Sequence, residues 1–230
     1  MSDLEGFGFV LPHWMYWGWL AIMPLIIMWV IKKKGLSETV PLTPDEELAL
    51  ELLAESDPVV HDKGTPFTQV LDWICEKSGV FVALWTVNAV VIYAYEVLMR
   101  YLFNMPTIWV HESSYLLFGM QYLLAGGFAM LHGSHVRVDI AYIKLPPRGR
   151  VGMDIFTSIF FFIFTMALMG TSWTFFSDSA GMLETTIETW GIQYYPVKAM
   201  MFLGSVLLML AGISKLIKDL RTFKKMGEVA

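Results

Sequence analysis

Residues Leu131 to Arg150 read LHGSHVRVDIAYIKLPPRGR and lie between two long apolar runs. This connection packs Arg137, Lys144, Arg148 and Arg150 close together, with His132, His135 and Asp139 beside them. Basic loops next to membrane spans stay on the cytoplasmic side, so the stretch orients everything around it. It also reads as structured. Asp139 suits the N-cap of a short helix, Ile140 and Ile143 share one face, and Pro146-Pro147 end it. A turn of helix lying at the membrane surface, wedged between two spans, is the expectation.

Working outward, the apolar residues gather in blocks of bilayer-crossing length, about 20 residues each. The chain of 230 residues is 56% hydrophobic and 16% charged, against the roughly 25% charged residues of a soluble domain. The sequence therefore specifies an all-α integral membrane protein. The reading is a four-helix transmembrane core, one extra N-terminal transmembrane helix and short interfacial helices. A net charge of −5, with the basic residues at membrane edges, gives no basis for a nucleic-acid partner. The single cysteine, Cys75, excludes an intramolecular disulfide.

The first block, Gly6 to Ile31, starts after Asp3 and Glu5 and ends on Lys32-Lys33-Lys34. A cleaved signal peptide has the reverse charge order, so residues 1–34 read as a retained span. Residues 35–66 are polar. Thr43-Pro44-Asp45-Glu46 has the cap, proline and acid of a helix start, and an acidic amphipathic helix follows up to Asp57-Pro58. It either docks on protein or covers this chain's own loops. Phe67 to Ser78 reads as an interfacial helix leading into the second block, Gly79 to Phe103. Asn88, near the middle of that block, reads as helix–helix glue. The turn Asn104-Met105-Pro106-Thr107 leads to the third block. Trp109 anchors its edge and Glu112 sits in its first turn.

Glu96 and Arg100, four apart, can pair along their helix. Arg100 and Glu112, at facing helix ends of the hairpin, are expected to form a bridge that clamps it. Gly119, Gln121, Ala125, Gly126 and Gly127 line the third block, and small residues permit close helix approach. After the basic loop comes a phenylalanine-rich block, Ile155 to Ser177, suited to lipid. The loop Asp178 to Gln193 carries Asp178, Glu184 and Glu188 without Lys or Arg. The last block runs from Tyr194 to Ile213, with Lys198 snorkelling at its edge, before a basic tail over residues 222–230. With five spans and the N-terminus outside, all basic residues but Arg100 and Lys198 fall inside, 14 of 16.

No phosphate loop, nucleophile elbow or strong metal motif is present. The ionisable residues sit at span ends rather than midway, which argues against a stand-alone transporter. The pattern Arg100-Tyr101-x-Phe103, Trp109, Glu112, His135-Val136-x-Val138-Asp139 and Leu145-Pro146-x-Arg148 resembles the small membrane subunit, of DctQ type, of TRAP (tripartite ATP-independent periplasmic) transporters. His111 departs from the acid often found there.

The resemblance covers residues 67–221, leaving the first span and the acidic segment as an extension. It implies a non-enzymatic scaffold in the bacterial inner membrane, with a periplasmic N-terminus and a cytoplasmic C-terminus. The implied partners are a large elevator-type subunit (DctM type), a periplasmic binding protein (DctP type) and membrane lipids. It also implies uptake of an organic acid, sodium bound in the large subunit, and no cofactor in this chain. Arg100, Trp109, Glu112, His135, Asp139 and Arg148 are then structural or partner-facing, with Asp178, Glu184 and Glu188 as docking residues for the binding protein. A haem-binding electron carrier or an assembly factor is the alternative.

Overall fold

A computed structural model of the chain describes residues 10–34, 64–133 and 145–228. Among these the helices are α1 (His13–Lys33), α2 (Pro66–Ala83), α3 (Trp85–Tyr101), α4 (Val110–Leu131), α5 (Pro147–Gly181) and α6 (Tyr195–Glu228). Only Leu84 separates α2 from α3, and Pro66–Tyr101 counts as one helical span of 36 residues. Five helices by this reckoning are long and apolar enough to cross a membrane, as the block pattern requires. The acidic segment 43–57, His135, Asp139 and the short helix expected over 139–145 lie outside the described residues.

Several helix limits move for local reasons. α2 does not begin at Phe67 as a short interfacial piece. Thr65 and Thr68 form a reciprocal capping box with Pro66 in the first turn, and the helix runs past Ser78 to Ala83. Pro146 is the N-cap of α5 and Pro147 its first residue, so the helix starts eight residues before the purely apolar run. A proline at the first position forfeits no hydrogen bond, because that N–H has no intrahelical partner anyway. α6 likewise continues beyond Ile213 to Glu228.

α6 packs along both α4 and α5, and α2 packs against α4 and α6. The small residues explain how closely. A Cβ on Gly204 would stand 2.4 Å from the Leu123 carbonyl oxygen, and one on Gly127 3.0 Å from that of Leu207. The α4–α6 seam is thus backbone against backbone. Gly127 plays the part its composition implies. Gly119 does not, since a Cβ there meets nothing within 4 Å. On α5, Phe156, Ile159, Phe160, Ile163 and Phe164 are exposed, the face suited to lipid or a neighbouring subunit.

α1 belongs to this bundle. Its Tyr16, Leu20 and Met23 join one buried cluster with Val82, Trp85, Ala89, Trp109, Leu117 and Trp190. Trp85 Nε1 donates to the Leu20 carbonyl at 2.9 Å, and Trp19 Nε1 donates to Asn88 Oδ1 at 2.7 Å. Asn88 does tie helix to helix, and the helix it ties is the N-terminal one.

Candidate functional site: the two polar ends of the bundle

The bundle has a hairpin end and a basic end. At the hairpin end, Asn104 takes a left-handed backbone (φ 53) to turn α3 into α4, a conformation Asn tolerates better than most residues. The carboxylate that holds this turn is Glu96, only 8% exposed. Its Oε1 accepts from the Arg100 guanidinium, Nε at 2.9 Å and Nη2 closer still. Its Oε2 accepts from the Thr107 backbone N–H at 3.1 Å and from the Thr107 hydroxyl.

The Arg100–Glu112 bridge does not form. Glu96 lies one turn away on Arg100's own helix, whereas Glu112, 3% exposed, is turned towards the loop before α6. There its Oε1 accepts from the Thr186 hydroxyl. The expected hairpin clamp is replaced by the i, i+4 pair with Glu96. No residue pattern signals that Thr107 completes the site, although a threonine just past a turn is a ready donor of both N–H and O–H.

Trp109 caps α4 and packs between Tyr95 (ring centroids 6.1 Å apart, stacked) and Trp190 (6.2 Å). Trp190 is the pivot of the loop Met182–Tyr194. Its Nε1 donates to the Leu11 carbonyl at 2.9 Å, and its own carbonyl accepts from His13 Nε2 at 3.1 Å. Tyr16 donates to the Ser113 carbonyl at 2.7 Å. The loop is itself folded. The N–H of Thr186 donates to the Ile192 carbonyl, that of Tyr194 to the Glu184 carbonyl, both at 2.8 Å, and Gly191 supplies a positive φ.

The three acids proposed for docking differ in state. Asp178 and Glu188 are exposed. Glu184 forms an ion pair with Lys198, which is therefore held at the loop rather than snorkelling alone. The Lys198 ammonium holds the Glu184 carboxyl below the usual carboxylate range. A carboxyl whose folded-state pKa is depressed stabilises the fold above its unfolded value, and the benefit is lost as pH falls through the folded value. The stability gap between wild type and Glu184→Gln should be full at neutral pH and close in acid, below the usual carboxylate range. Thermal unfolding in detergent across that range measures it, and a gap constant with pH would refute the assignment.

At the basic end two lysines of α6 have partners on other helices. Asp72 of α2 accepts from Ser214 Oγ at 2.5 Å and Lys218 Nζ at 2.6 Å, both on α6. Lys215 stands 3.5 Å from Asp154 of α5 and 3.6 Å from Asp219 of α6. Ser214 and Lys218 are four residues apart on one face, a spacing that marks a shared acceptor. His132 stacks on Phe128 at 4.2 Å and faces Glu76 at 3.4 Å. The Arg148 guanidinium covers the Phe223 ring at 5.1 Å, a cation–π contact that anchors the start of α5.

The arrangement holds helices together at both ends, and the polar groups between them do the same. Gln121 Nε2 donates to Thr86 Oγ1 at 2.8 Å across α3 and α4, as Asn88 serves Trp19 across α1 and α3. A search of curated proteins finds no match. The family model of the DctQ component of tripartite ATP-independent periplasmic transporters matches residues 89–222, from the first turns of α3 almost to the end of α6. α1 and α2 lie outside the matched stretch. With well over half of its residues in that match and five helices able to span a membrane, the chain belongs to the DctQ family, the small permease subunits of TRAP transporters.

Proposed function

We propose that this subunit is a rigid scaffold in the bacterial inner membrane, N-terminus periplasmic and C-terminus cytoplasmic. It holds a large elevator-type subunit (DctM type) that moves an organic acid with sodium. The sodium sites belong to that partner, and a periplasmic binding protein (DctP type) delivers the substrate. The carrying observation is how the mid-span amides are used. Asn88 and Gln121 each bond a neighbouring helix, which fits a fixed frame. The charge bias also supports the orientation, since the hairpin end carries Arg100 and Lys198, each paired within the chain, and the basic end the remaining described lysines and arginines.

A mild-detergent pull-down of the tagged chain from its native membrane, followed by mass spectrometry, tests this. A larger polytopic protein should accompany it in stoichiometric amount. A chain recovered alone, under conditions that preserve other membrane complexes, would overturn the scaffold reading. Asp178 and Glu188 are the exposed acids left for docking the delivery protein. Replacing both by their amides should weaken its binding at low salt and flatten the salt dependence. Unchanged affinity at all salt concentrations would remove them from the interface.

A further inference from the structure

α2 and α3 together outrun the membrane. Their 36 residues reach about 54 Å, against a hydrocarbon core of roughly 30 Å. The uncharged run begins after Lys77 and ends before Glu96, so most of the excess lies between Pro66 and Lys77. One side of these turns packs on the bundle. Leu71 and Cys75 are buried, Asp72 is held by Ser214 and Lys218, and Glu76 faces His132. The other side is bare. Phe67, Val70 and Trp73, spaced three apart, are 59%, 56% and 61% exposed, and Lys77 continues the same face.

Depth decides against lipid as the cover. Counted from Lys77, Trp73 stands about 6 Å, Val70 about 10 Å and Phe67 about 15 Å outside the hydrocarbon. The headgroup layer is only about 5–8 Å deep on each side. Trp73 falls within it. Val70 and Phe67 lie beyond it, in water unless protein covers them.

The chain supplies a cover of matching length. Residues 35–63 join Lys34, at the end of α1, to Gly64, just before α2. Within them Thr43-Pro44-Asp45-Glu46 starts a predicted helix and Asp57-Pro58 stops it. Leu48, Ala49, Leu52 and Leu53 share one face over two turns, and the bare face of α2 is two turns long as well. The connection 58–64 falls within the roughly two to eight residues usual between packed helices. Tethering at both ends holds the segment near α2 at an effective concentration on the order of millimolar.

Charge agrees. Residues 35–63 carry eight acids and one lysine. Trp85 is bonded to Leu20, and from that bond Lys33 lies about 20 Å along α1 and Trp73 about 18 Å back along α2. The exposed Lys32, Lys33 and Lys34 therefore end at the level of Trp73. In an antiparallel pair, the end carrying Asp45, Glu46 and Glu47 comes to these lysines and to Lys77.

We infer that the acidic segment 43–57 docks as a helix on the Phe67–Val70–Trp73 face of α2. Its leucines cover that stripe and its leading acids meet Lys77 and Lys32 to Lys34. The segment thereby ties the inner end of α1 to the bundle, as Trp190 ties the outer end. The inference rests on the spans alone and is independent of the transport partners.

Val70→Cys in the full-length subunit, labelled with a water-soluble maleimide, tests it. Cys75 is wholly buried and adds no signal. Val70→Cys should react roughly tenfold more slowly than the same chain carrying Leu48→Asp and Leu52→Asp, which open the docked helix. A second reading needs no disruptive change. Leu52→Cys with Val70→Cys should form a disulfide under mild oxidation, and Leu52→Cys with Val80→Cys, further along the same helix, should not. Equal labelling rates, both fast or both slow, overturn the proposal, as does a Val70 disulfide yield no higher than that of Val80. So does protection that appears only in a complex with other subunits, which would give the face to a partner.

Discussion

Replacing Gly204 by alanine is expected to destabilise the subunit by about 2 kcal/mol, the middle of the range for overpacking a close-packed interior. Helix propensity alone points the other way, since Ala in a helix interior is better than Gly by about 1 kcal/mol. Packing decides, because the new Cβ would lie 2.4 Å from the Leu123 carbonyl oxygen and 2.8 Å from its carbon. Those are backbone atoms of α4, and they move only if the two helices part. Gly204→Leu adds three more carbons to the same clash and should fail to yield a folded subunit. Gly119→Ala is the internal control. Its Cβ meets nothing within 4 Å, so the isolated subunit should gain up to about 1 kcal/mol. Thermal unfolding of the three variants in one detergent reads the result. A neutral or stabilised Gly204→Ala would show that α4 and α6 do not meet backbone to backbone.

Glu96→Ala should cost about 3 kcal/mol, or roughly 10 °C of thermal stability for a chain of this size. The substitution strips the acceptor from the Thr107 N–H, the Thr107 hydroxyl and the Arg100 guanidinium together. Thr107 is buried and cannot turn to water for a substitute, whereas the Arg100 side chain is 52% exposed and can. Arg100→Ala should therefore cost markedly less, within about 1 kcal/mol, as for other half-exposed ion pairs. Equal losses for the two variants would mean that the arginine, rather than the buried threonine, depends on the carboxylate.

The number of spans was legible because hydrocarbon thickness imposes a length on apolar runs, whereas the helix limits were not, since Pro147 starts α5 eight residues before its apolar run and α6 continues past Ile213 to Glu228. Pairings were legible only within one helix. Arg100 with Glu96 follows from a four-residue spacing, while Glu112 with Thr186 joins residues 74 apart and leaves no periodic trace. Asp72 and Asp154 were passed over for the same reason, since their lysines sit on α6 and only the fold brings them near, whereas Asp219 lies four residues from Lys215 on α6 and was open to a spacing argument. Gly127 could be assigned to a seam by its small neighbours. Gly204, with only Ser205 small beside it, carried a weaker signal although its contact is tighter. The placement of α1 depended on Trp19, Trp85 and Trp190, three indoles that from sequence read equally well as belt residues facing lipid.

One contact bears on how the protein is made. Trp190 bonds the carbonyl of Leu11 across 179 positions of chain, so α1 enters the membrane long before the segment that fastens its end has been synthesised. Its contacts with α3 and α4, through Trp85, Asn88 and Ser113, can form first. Its final seat closes only when the loop before the last helix arrives. Biogenesis thus ends where the chain began, and a nascent chain halted before that loop would carry α1 without its latch.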